Sequence, residues 1–230
     1  AFNQYYEHDL DPLMARTRTR PFVTGEIKHG PIWLVIIAVL TVLSVGAAWI
    51  ALNAWSALFV FLGAFFYAIV YTVWLKRRTW LNIVFGGLAG SWAVLAGAAA
   101  ADPQLGAVPL ALAFVLFLWT PPHFWSLAIA FREDYKAAGV PMLPVVVGDQ
   151  RAAQTIFYST LALVAASFLP LAFGLGPIYA IGAATGGFLF IQKAWLLAQE
   201  PTRKTAMACF FSSLVQLTLV LLAAIIDARF

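Results

Sequence analysis

The sequence has little charge and almost no cysteine. Acidic and basic residues together make up 10% of its 230 positions, whereas a soluble globular domain carries about 25%. The single cysteine, Cys209, excludes a disulfide within the chain and a metal site of the CxxC type. Apolar residues instead fill 63% of the chain. This composition excludes a soluble domain and is typical of a protein that crosses a membrane several times.

The apolar residues form seven segments, each close to the ~20 residues that a membrane-spanning helix needs. They cover residues 31–52, 54–75, 81–101, 107–131, 154–173, 177–196 and 205–226. We therefore predict an all-α, multi-pass membrane protein with seven transmembrane helices, and, since no linker divides it, a single domain over residues 1–230. Five glycines are spaced for close contacts between helices: Gly86, Gly90, Gly97, Gly182 and Gly186.

The basic residues lie on alternate links between these segments. One set of links holds 13 of the 14 lysines and arginines, and the opposite set holds only Arg229. The positive-inside rule places the first set in the cytoplasm if the membrane is the bacterial inner membrane, or in the matrix if it is the mitochondrial inner membrane. Because this asymmetry accounts for the formal charge of +4, we predict no nucleic-acid partner.

Three oxygen-bearing side chains recur at steps of four near the start of the chain. Asn3, Glu7 and Asp11 would share one face of a helix that ends at Asp11. Carboxylate and amide oxygens arranged in this way suit Mg²⁺ that also holds phosphate. The alternative is that the acids pair with Arg16 and Arg20, which follow at helical spacing.

A basic turn follows the second apolar segment. The motif YTVWLKRRTWLN begins at Tyr71, and its Lys76 and Arg77 could bind a diphosphate. Its last residue, Asn82, lies just inside the next apolar segment, where an amide without a partner is costly. The alternative is a basic cytoplasmic turn that only follows the positive-inside rule.

The residues that are least favourable in a membrane helix, which are prolines, a histidine and charged side chains, are most concentrated between Trp119 and Gly148. Pro121 and Pro122 should break the helix there. Irregular backbone survives in lipid only inside protein or beside a cavity, so we expect a cavity near His123. This histidine could ligate haem iron or hydrogen-bond a backbone carbonyl. The segment Arg132–Lys136 adds a third charged cluster on the same side of the membrane, and the three clusters could converge over one anion and Mg²⁺.

Four stretches together resemble the protohaem IX farnesyltransferases, also called haem O synthases, a branch of the UbiA intramembrane prenyltransferases. They are NQYYEHDLDPLMARTRTRP, YTVWLKRRTWLNI, WTPPHFW and REDYKAAGVPMLPVV. They occur in the family's order over residues 3–148 and are jointly specific. The resemblance implies a helical bundle that transfers farnesyl from farnesyl diphosphate to a vinyl group of haem B and adds water to give haem O. It implies Mg²⁺ as cofactor, haem B as substrate, contact with membrane lipid and a downstream haem A synthase as a partner.

The resemblance also implies roles for individual residues. Mg²⁺ would be held by Asn3, Glu7, Asp11 and Asp134. The catalytic residues would be Asp11, Asp134, Lys76 and Arg77. Departure of the diphosphate would be helped by Lys76, Arg77 and Arg132. Substrate binding would involve Asn3, Arg16, Arg20, Tyr71, Asn82, His123, Arg132 and Lys136.

The sequence departs from the family pattern in three ways. The family has nine helices, so the first and most of the second are expected to be absent here. Glu7 stands where the family usually has aspartate, and Ala130 stands four residues before Asp134, where the wider superfamily has a second aspartate. Two alternatives remain open: a UbiA enzyme that acts on a quinone precursor, and a haem or lipid transporter without chemistry.

Overall fold

The computed structural model describes residues 1–228, which form helices and turns but no strand. Seven helices are long and apolar enough to cross a membrane: Ile32–Ala51, Ala54–Leu75, Asn82–Ala101, Ala107–Ala130, Asp149–Phe173, Pro177–Gln199 and Arg203–Asp227. The prediction of an all-α protein with seven transmembrane helices is therefore confirmed. The predicted location of Arg229 concerns a residue outside the described part of the chain.

Shorter helices precede and separate these spans. In chain order the α-helices are α1 (Phe2–Tyr6), α2 (Pro21–Thr24), α3 (Ile32–Ala51), α4 (Ala54–Phe65), α5 (Asn82–Gly86), α6 (Leu88–Ala101), α7 (Ala107–Ala130), α8 (Arg132–Ala137), α9 (Leu143–Val147), α10 (Asp149–Ala166), α11 (Pro177–Gln199) and α12 (Arg203–Asp227). Two 3₁₀ helices cover Asp11–Leu13 and Leu169–Phe173. A π-helix, Phe66–Leu75, continues α4.

Contacts between residues divide the chain into two compact units. Unit 1 contains residues 1–103 and 132–142, and unit 2 contains residues 104–131 and those from 143 onward. In unit 1, α4 packs against both α3 and α6, while α1 and α5 pack against the π-helix. In unit 2, α10 and α12 each pack against both α7 and α11. The single domain over residues 1–230 stays a prediction.

Helix α3 leaves most of its apolar side chains exposed. Val42 is 70% exposed and Ile50 is 86% exposed. An apolar surface of this kind is unfavourable in water but is matched to the hydrocarbon of a bilayer. The exposure therefore agrees with an integral membrane protein.

The second span widens into the π-helix before it reaches the basic turn. The amide of Lys76 donates to the carbonyl of Tyr71 five residues earlier (2.9 Å), and Thr72 Oγ1 donates to the carbonyl of Tyr67 (2.8 Å). A Cβ added to Gly86 would lie 2.7 Å from Cδ2 of Tyr71. Glycine at this position therefore lets α5 approach the Tyr71 ring, beside the turn that carries Lys76.

Two of the predicted glycine contacts join α11 to α12. A Cβ on Gly182 would lie 2.5 Å from Cβ of Ala223, and one on Gly186 would lie 2.9 Å from Cα of Gln216. Helices without a hydrophobic driving force in lipid associate through such close packing. The prediction is confirmed for these two glycines and for Gly86, which contacts Tyr71 of the π-helix. It is wrong for Gly97, because an added Cβ there has no atom of another helix within 4 Å among the described residues.

Helix α7 continues through its two prolines, so the predicted break at Pro121 and Pro122 is wrong. Both prolines are buried. Close by, Trp119 Nε1 donates to the carbonyl of Ser213 (2.8 Å), and Thr120 Oγ1 donates to the carbonyl of Leu116 (2.9 Å). Packing against neighbouring helices and local side-chain hydrogen bonds let membrane helices keep internal prolines.

Candidate active site

Unit 1 encloses a small polar cavity of about 20 Å³. It is lined by Glu7, Leu10, Asp11, Met14, Arg16, Thr17, Arg20, Lys76, Tyr135 and Val140. These residues come from the N-terminal segment, the basic turn and the stretch around α8, which are the three charged clusters of the sequence. The structure therefore brings members of all three clusters together.

The backbone holds Asn3, Glu7 and Asp11 in one helical register. Helix α1 ends at Tyr6 rather than at Asp11, so the predicted helix is shorter than expected. The amide of Glu7 nevertheless donates to the carbonyl of Asn3, and that of Asp11 to the carbonyl of Glu7, both at 2.9 Å. Glu7 and Asp11 are each 2% exposed. Burial of two carboxylates requires cationic or metal partners.

Asp11 is neutralised by Arg20. The nitrogen Nη1 of Arg20 lies 2.8 Å from Oδ1 and 2.9 Å from Oδ2 of Asp11, and 3.4 Å from Oδ1 of Asn3. The intervening chain turns back because Thr17 Oγ1 donates to the carbonyl of Asp11 (2.9 Å). Pro21, at the first position of α2, keeps Arg20 extended. The alternative that the acids pair with arginine is confirmed for Asp11.

Glu7 is neutralised by Lys76 from the basic turn. The ammonium Nζ lies 2.5 Å from Oε1 and 2.6 Å from Oε2 of Glu7. Nζ also lies 5.6 Å from the centre of the Tyr71 ring. Burial lowers the pKa of Lys76, and the charge of Glu7 opposes that change. A partly buried ammonium is therefore paired with a buried carboxylate beside the cavity.

Arg77 points away from this cavity. It donates to both carboxylate oxygens of Asp9 at 2.8 Å, and its guanidinium lies 5.4 Å from the centre of the Tyr6 ring. The hydrogen bond from Arg77 lowers the pKa of Asp9. The predicted role of Arg77 in diphosphate departure stays a prediction, because within the described chain Arg77 is not among the residues that line the cavity.

Asn82 holds the basic turn in place. Its side chain is fully buried, and Nδ2 donates to the carbonyl of Thr79 (2.6 Å) and to that of Lys76 (3.4 Å). Its Oδ1 has no hydrogen-bond partner among the described atoms. Asn82 was predicted to bind substrate. In this structure it supports the backbone that presents Lys76.

The third cluster contributes Asp134 and Tyr135. Asp134 Oδ2 accepts a hydrogen bond from the amide of Ala15 (3.1 Å). Tyr135 is 7% exposed; burial raises the pKa of its phenol, while the charge of Arg16 and a hydrogen bond to it act in the opposite direction. Tyr135 lines the cavity although it was not among the predicted site residues, and its place inside the REDYK motif is the sequence signal for it. Arg132 and Lys136 are not among the described residues that line the cavity.

His123 belongs to unit 2 and is 6% exposed. Its Nδ1 lies 2.7 Å from Oγ of Ser213. Its ring stacks against Trp119 and Phe210, with centroid distances of 4.0 and 4.4 Å. The histidine therefore bonds a serine hydroxyl rather than a backbone carbonyl, and its predicted contact with haem stays a prediction.

The side-chain oxygen atoms in the cavity and beside it are the kind that a divalent cation prefers. Asn3 Oδ1 and both Asp11 oxygens surround one nitrogen of Arg20, and both Glu7 oxygens surround Lys76 Nζ. Across residues 1–228, no group of three or more histidine, cysteine or acidic side chains is arranged so that it could hold a metal ion. The donor set fits Mg²⁺ in its chemistry, provided that the two basic side chains move to another partner.

Comparison with known proteins agrees with the polytopic helical fold. Residues 1–215 match the UbiA prenyltransferase family. Protoheme IX farnesyltransferase 2 of Paramagnetospirillum magneticum is 57% identical over 227 residues, which cover 99% of this chain and 79% of the relative. Protoheme IX farnesyltransferase 1 of the same organism is 47% identical, over 98% of this chain and 80% of the relative.

Solved structures share the fold. A structure described with the biosynthesis of digeranylgeranylglyceryl phosphate synthase in membranes has a TM-score of 0.78 at 23% identity and covers 99% of this chain and 79% of its own. The apo structure of a UbiA homologue from Aeropyrum pernix has a TM-score of 0.72 at 20% identity, over 96% and 82%. The fold and the sequence matches define an intramembrane prenyltransferase. The chain belongs to the UbiA prenyltransferase family and, within it, to the protohaem IX farnesyltransferases.

Proposed function

We propose that the protein transfers the farnesyl group of farnesyl diphosphate to a vinyl group of haem B and adds water to give haem O. The observation that carries this proposal is the 57% identity to a protoheme IX farnesyltransferase over 99% of the chain. The cavity supports it, because it is lined by an ammonium and by guanidinium groups, which bind and stabilise a departing diphosphate.

The basic side chains of the site and its oxygen-bearing side chains would have different ligands, the diphosphate and Mg²⁺. Lys76, Arg16 and Arg20 would bind the phosphate oxygens and stabilise the negative charge that grows as the diphosphate leaves. Asn3, with the carboxylates of Glu7 and Asp11, would hold Mg²⁺. When bound, this metal would supply further neutralisation of the diphosphate.

Asp134 was predicted as a metal ligand. Its hydrogen bond to the amide of Ala15 supports a positioning role instead, since it fixes the backbone beside Arg16. The buried hydroxyl of Tyr135 would hold the Arg16 guanidinium toward the phosphate. These two residues would then act on the diphosphate through Arg16.

For haem B we retain His123 as the contact. Its Nδ1 is engaged by Ser213 and its ring faces are covered by Trp119 and Phe210. A contact with the haem iron or a propionate would therefore use Nε2.

The side of the membrane on which the reaction takes place is inferred from the distribution of basic residues. With 13 of 14 basic residues on one side, the acid–base cavity would open to the cytoplasmic side of a bacterial inner membrane, or to the matrix side in mitochondria. Haem O is a membrane-bound product, so a haem A synthase in the same membrane, surrounded by lipid, would be the partner that receives it.

The direct test is an incubation of the purified protein in lipid nanodiscs with haem B, farnesyl diphosphate and Mg²⁺, followed by mass analysis of the haem. We expect haem that has gained farnesyl and one water. Prenylation of an aromatic quinone precursor in place of haem would favour the alternative enzyme. Binding of haem without any product would favour a transporter.

A further inference from the structure

Cationic nitrogen atoms occupy the positions between the carboxylate oxygens of the cavity. Arg20 Nη1 lies within 3.4 Å of Asn3 Oδ1 and of both oxygens of Asp11. Lys76 Nζ lies within 2.6 Å of both oxygens of Glu7. Each nitrogen therefore stands where the same oxygens would otherwise surround a metal ion.

The cavity between these pairs is too small for a diphosphate. Its volume of about 20 Å³ is enough for about one water molecule. Phosphate oxygens can reach Lys76 and Arg20 only if these side chains turn away from Glu7 and Asp11.

Binding of the divalent cation alone is unfavourable, and so is binding of the diphosphate alone. Glu7 and Asp11 are 2% exposed, and a buried carboxylate that loses its only cation is strongly destabilised. A divalent cation that arrives alone must displace Lys76 or Arg20, which then lack an anion. A diphosphate that arrives alone leaves the carboxylates without a cation.

We propose that the site is loaded by exchange of ion pairs, in which Lys76 and Arg20 pass from Glu7 and Asp11 to the diphosphate while the two carboxylates pass to a divalent cation. Anion and cation then bind with positive coupling, each raising the affinity of the other. This inference rests on the proposed function, because that function makes diphosphate the anion. Coupling between two ligands at this level is commonly about 5- to 150-fold.

The sharpest test is binding of Mn²⁺ alone, followed by electron paramagnetic resonance on the intact protein in nanodiscs. Exchange predicts that Lys76→Met, although it removes a residue of the diphosphate site, increases the affinity for Mn²⁺ at least about fivefold, because Glu7 is released. Arg78→Met is the matched control, since Arg78 lies in the same turn but donates to the carbonyl of Trp74 (2.9 Å). It removes the same charge and should leave Mn²⁺ binding unchanged.

Inorganic pyrophosphate supplies the second measurement. In the parent protein it should increase Mn²⁺ affinity at least about fivefold, after subtraction of the Mn²⁺–pyrophosphate complex measured without protein. In Lys76→Met that increase should shrink. If Lys76→Met does not fold, Arg20→Gln gives the same test through Asp11, since the Arg20 side chain is 23% exposed.

Two results would overturn the exchange: Mn²⁺ affinity in Lys76→Met that is unchanged or lower than in the parent, or an equal gain in Arg78→Met. These results differ from the results that would contradict the proposed farnesyl transfer. A protein that shows exchange with Mn²⁺ and pyrophosphate but does not farnesylate haem would keep this inference and lose the reaction. A protein that makes haem O without the Lys76→Met gain would lose only the exchange.

Discussion

Lys76 and Glu7 form a partly buried ion pair across 69 residues of sequence, with Nζ 2.5 Å from Oε1 and 2.6 Å from Oε2. The pair attaches the N-terminal segment to the turn between the second and third spans. Both side chains line the cavity, so each charge is neutralised there by the other. The properties of the site should therefore follow the charge of Lys76.

The first prediction concerns pH. Burial lowers the pKa of Lys76 below its usual 10.5. The ammonium is present below this lowered pKa and is lost above it, so the affinity for pyrophosphate in the presence of Mg²⁺ should fall as the pH rises through it. Lys76→Arg keeps its charge over this range, so its affinity should stay flat up to about pH 10. Calorimetry of both proteins between neutral pH and about pH 10 measures the difference. A parallel fall in both would assign the dependence to another group.

The second prediction concerns the buried carboxylate of Asp11. Asp11→Asn should lower farnesyl transfer at least about 10²-fold, the scale of one lost electrostatic contact in a transition state, while haem B still binds. Asp9→Asn is the matched control, because Asp9 pairs with Arg77 and does not line the cavity. Its turnover should stay within about threefold of the parent, as for other pairs near the surface. An equal loss of farnesyl transfer in the two variants would show that Asp11 has no special role in the reaction.

The third prediction concerns the contact between Gly86 and Tyr71. Gly86→Ala places a methyl group 2.7 Å from Cδ2 of the Tyr71 ring, so it should destabilise the protein by about 1–3 kcal/mol, as overpacking does. Gly97→Ala is the control, because an added Cβ there has no atom within 4 Å. Thermal unfolding in detergent should show a lower midpoint for the first variant and an unchanged or slightly higher one for the second. Similar midpoints would show that the π-helix tolerates the methyl group.

Much of the fold could be predicted from the sequence because a bilayer limits the structures available. A spanning segment must be helical and about 20 residues long, so seven apolar runs gave seven helices. The register of Asn3, Glu7 and Asp11 followed from spacing alone, and hydrogen bonds from Glu7 to Asn3 and from Asp11 to Glu7 confirm it although α1 ends early.

The partners of the charged residues could be predicted only when they were close in sequence. The pairing of Asp11 with Arg20 was an alternative from the start, because nine residues separate them. The pairing of Glu7 with Lys76 depends on how distant segments pack, which no local pattern encodes. The predicted break at the prolines of α7 is wrong because it, too, depends on packing between distant segments. Burial in unit 2 and the hydrogen bond of Trp119 to Ser213 accompany a continuous helix.

The fourth prediction concerns topology. Within residues 1–228, five spans follow the basic turn at residues 76–80. A reporter fused after Phe230 should therefore lie opposite one inserted in that turn. Paired fusions to reporters that are active on only one side of the membrane measure this. If both reporters are active in the same compartment, the number of spans after the basic turn is even, and the seven-span topology is wrong.

The last prediction concerns His123. His123→Ala should weaken haem B binding at least about tenfold, the scale of a lost hydrogen bond to a charged group, and should shift the Soret band, while pyrophosphate affinity stays unchanged. Ser213→Ala is the matched variant, because it removes the 2.7 Å contact to Nδ1 but keeps the imidazole between Trp119 and Phe210. A histidine that contacts haem should make the first variant much weaker than the second. If instead both variants lower thermal stability equally and leave the Soret band and haem affinity of the parent, His123 serves the packing of unit 2 and does not bind haem.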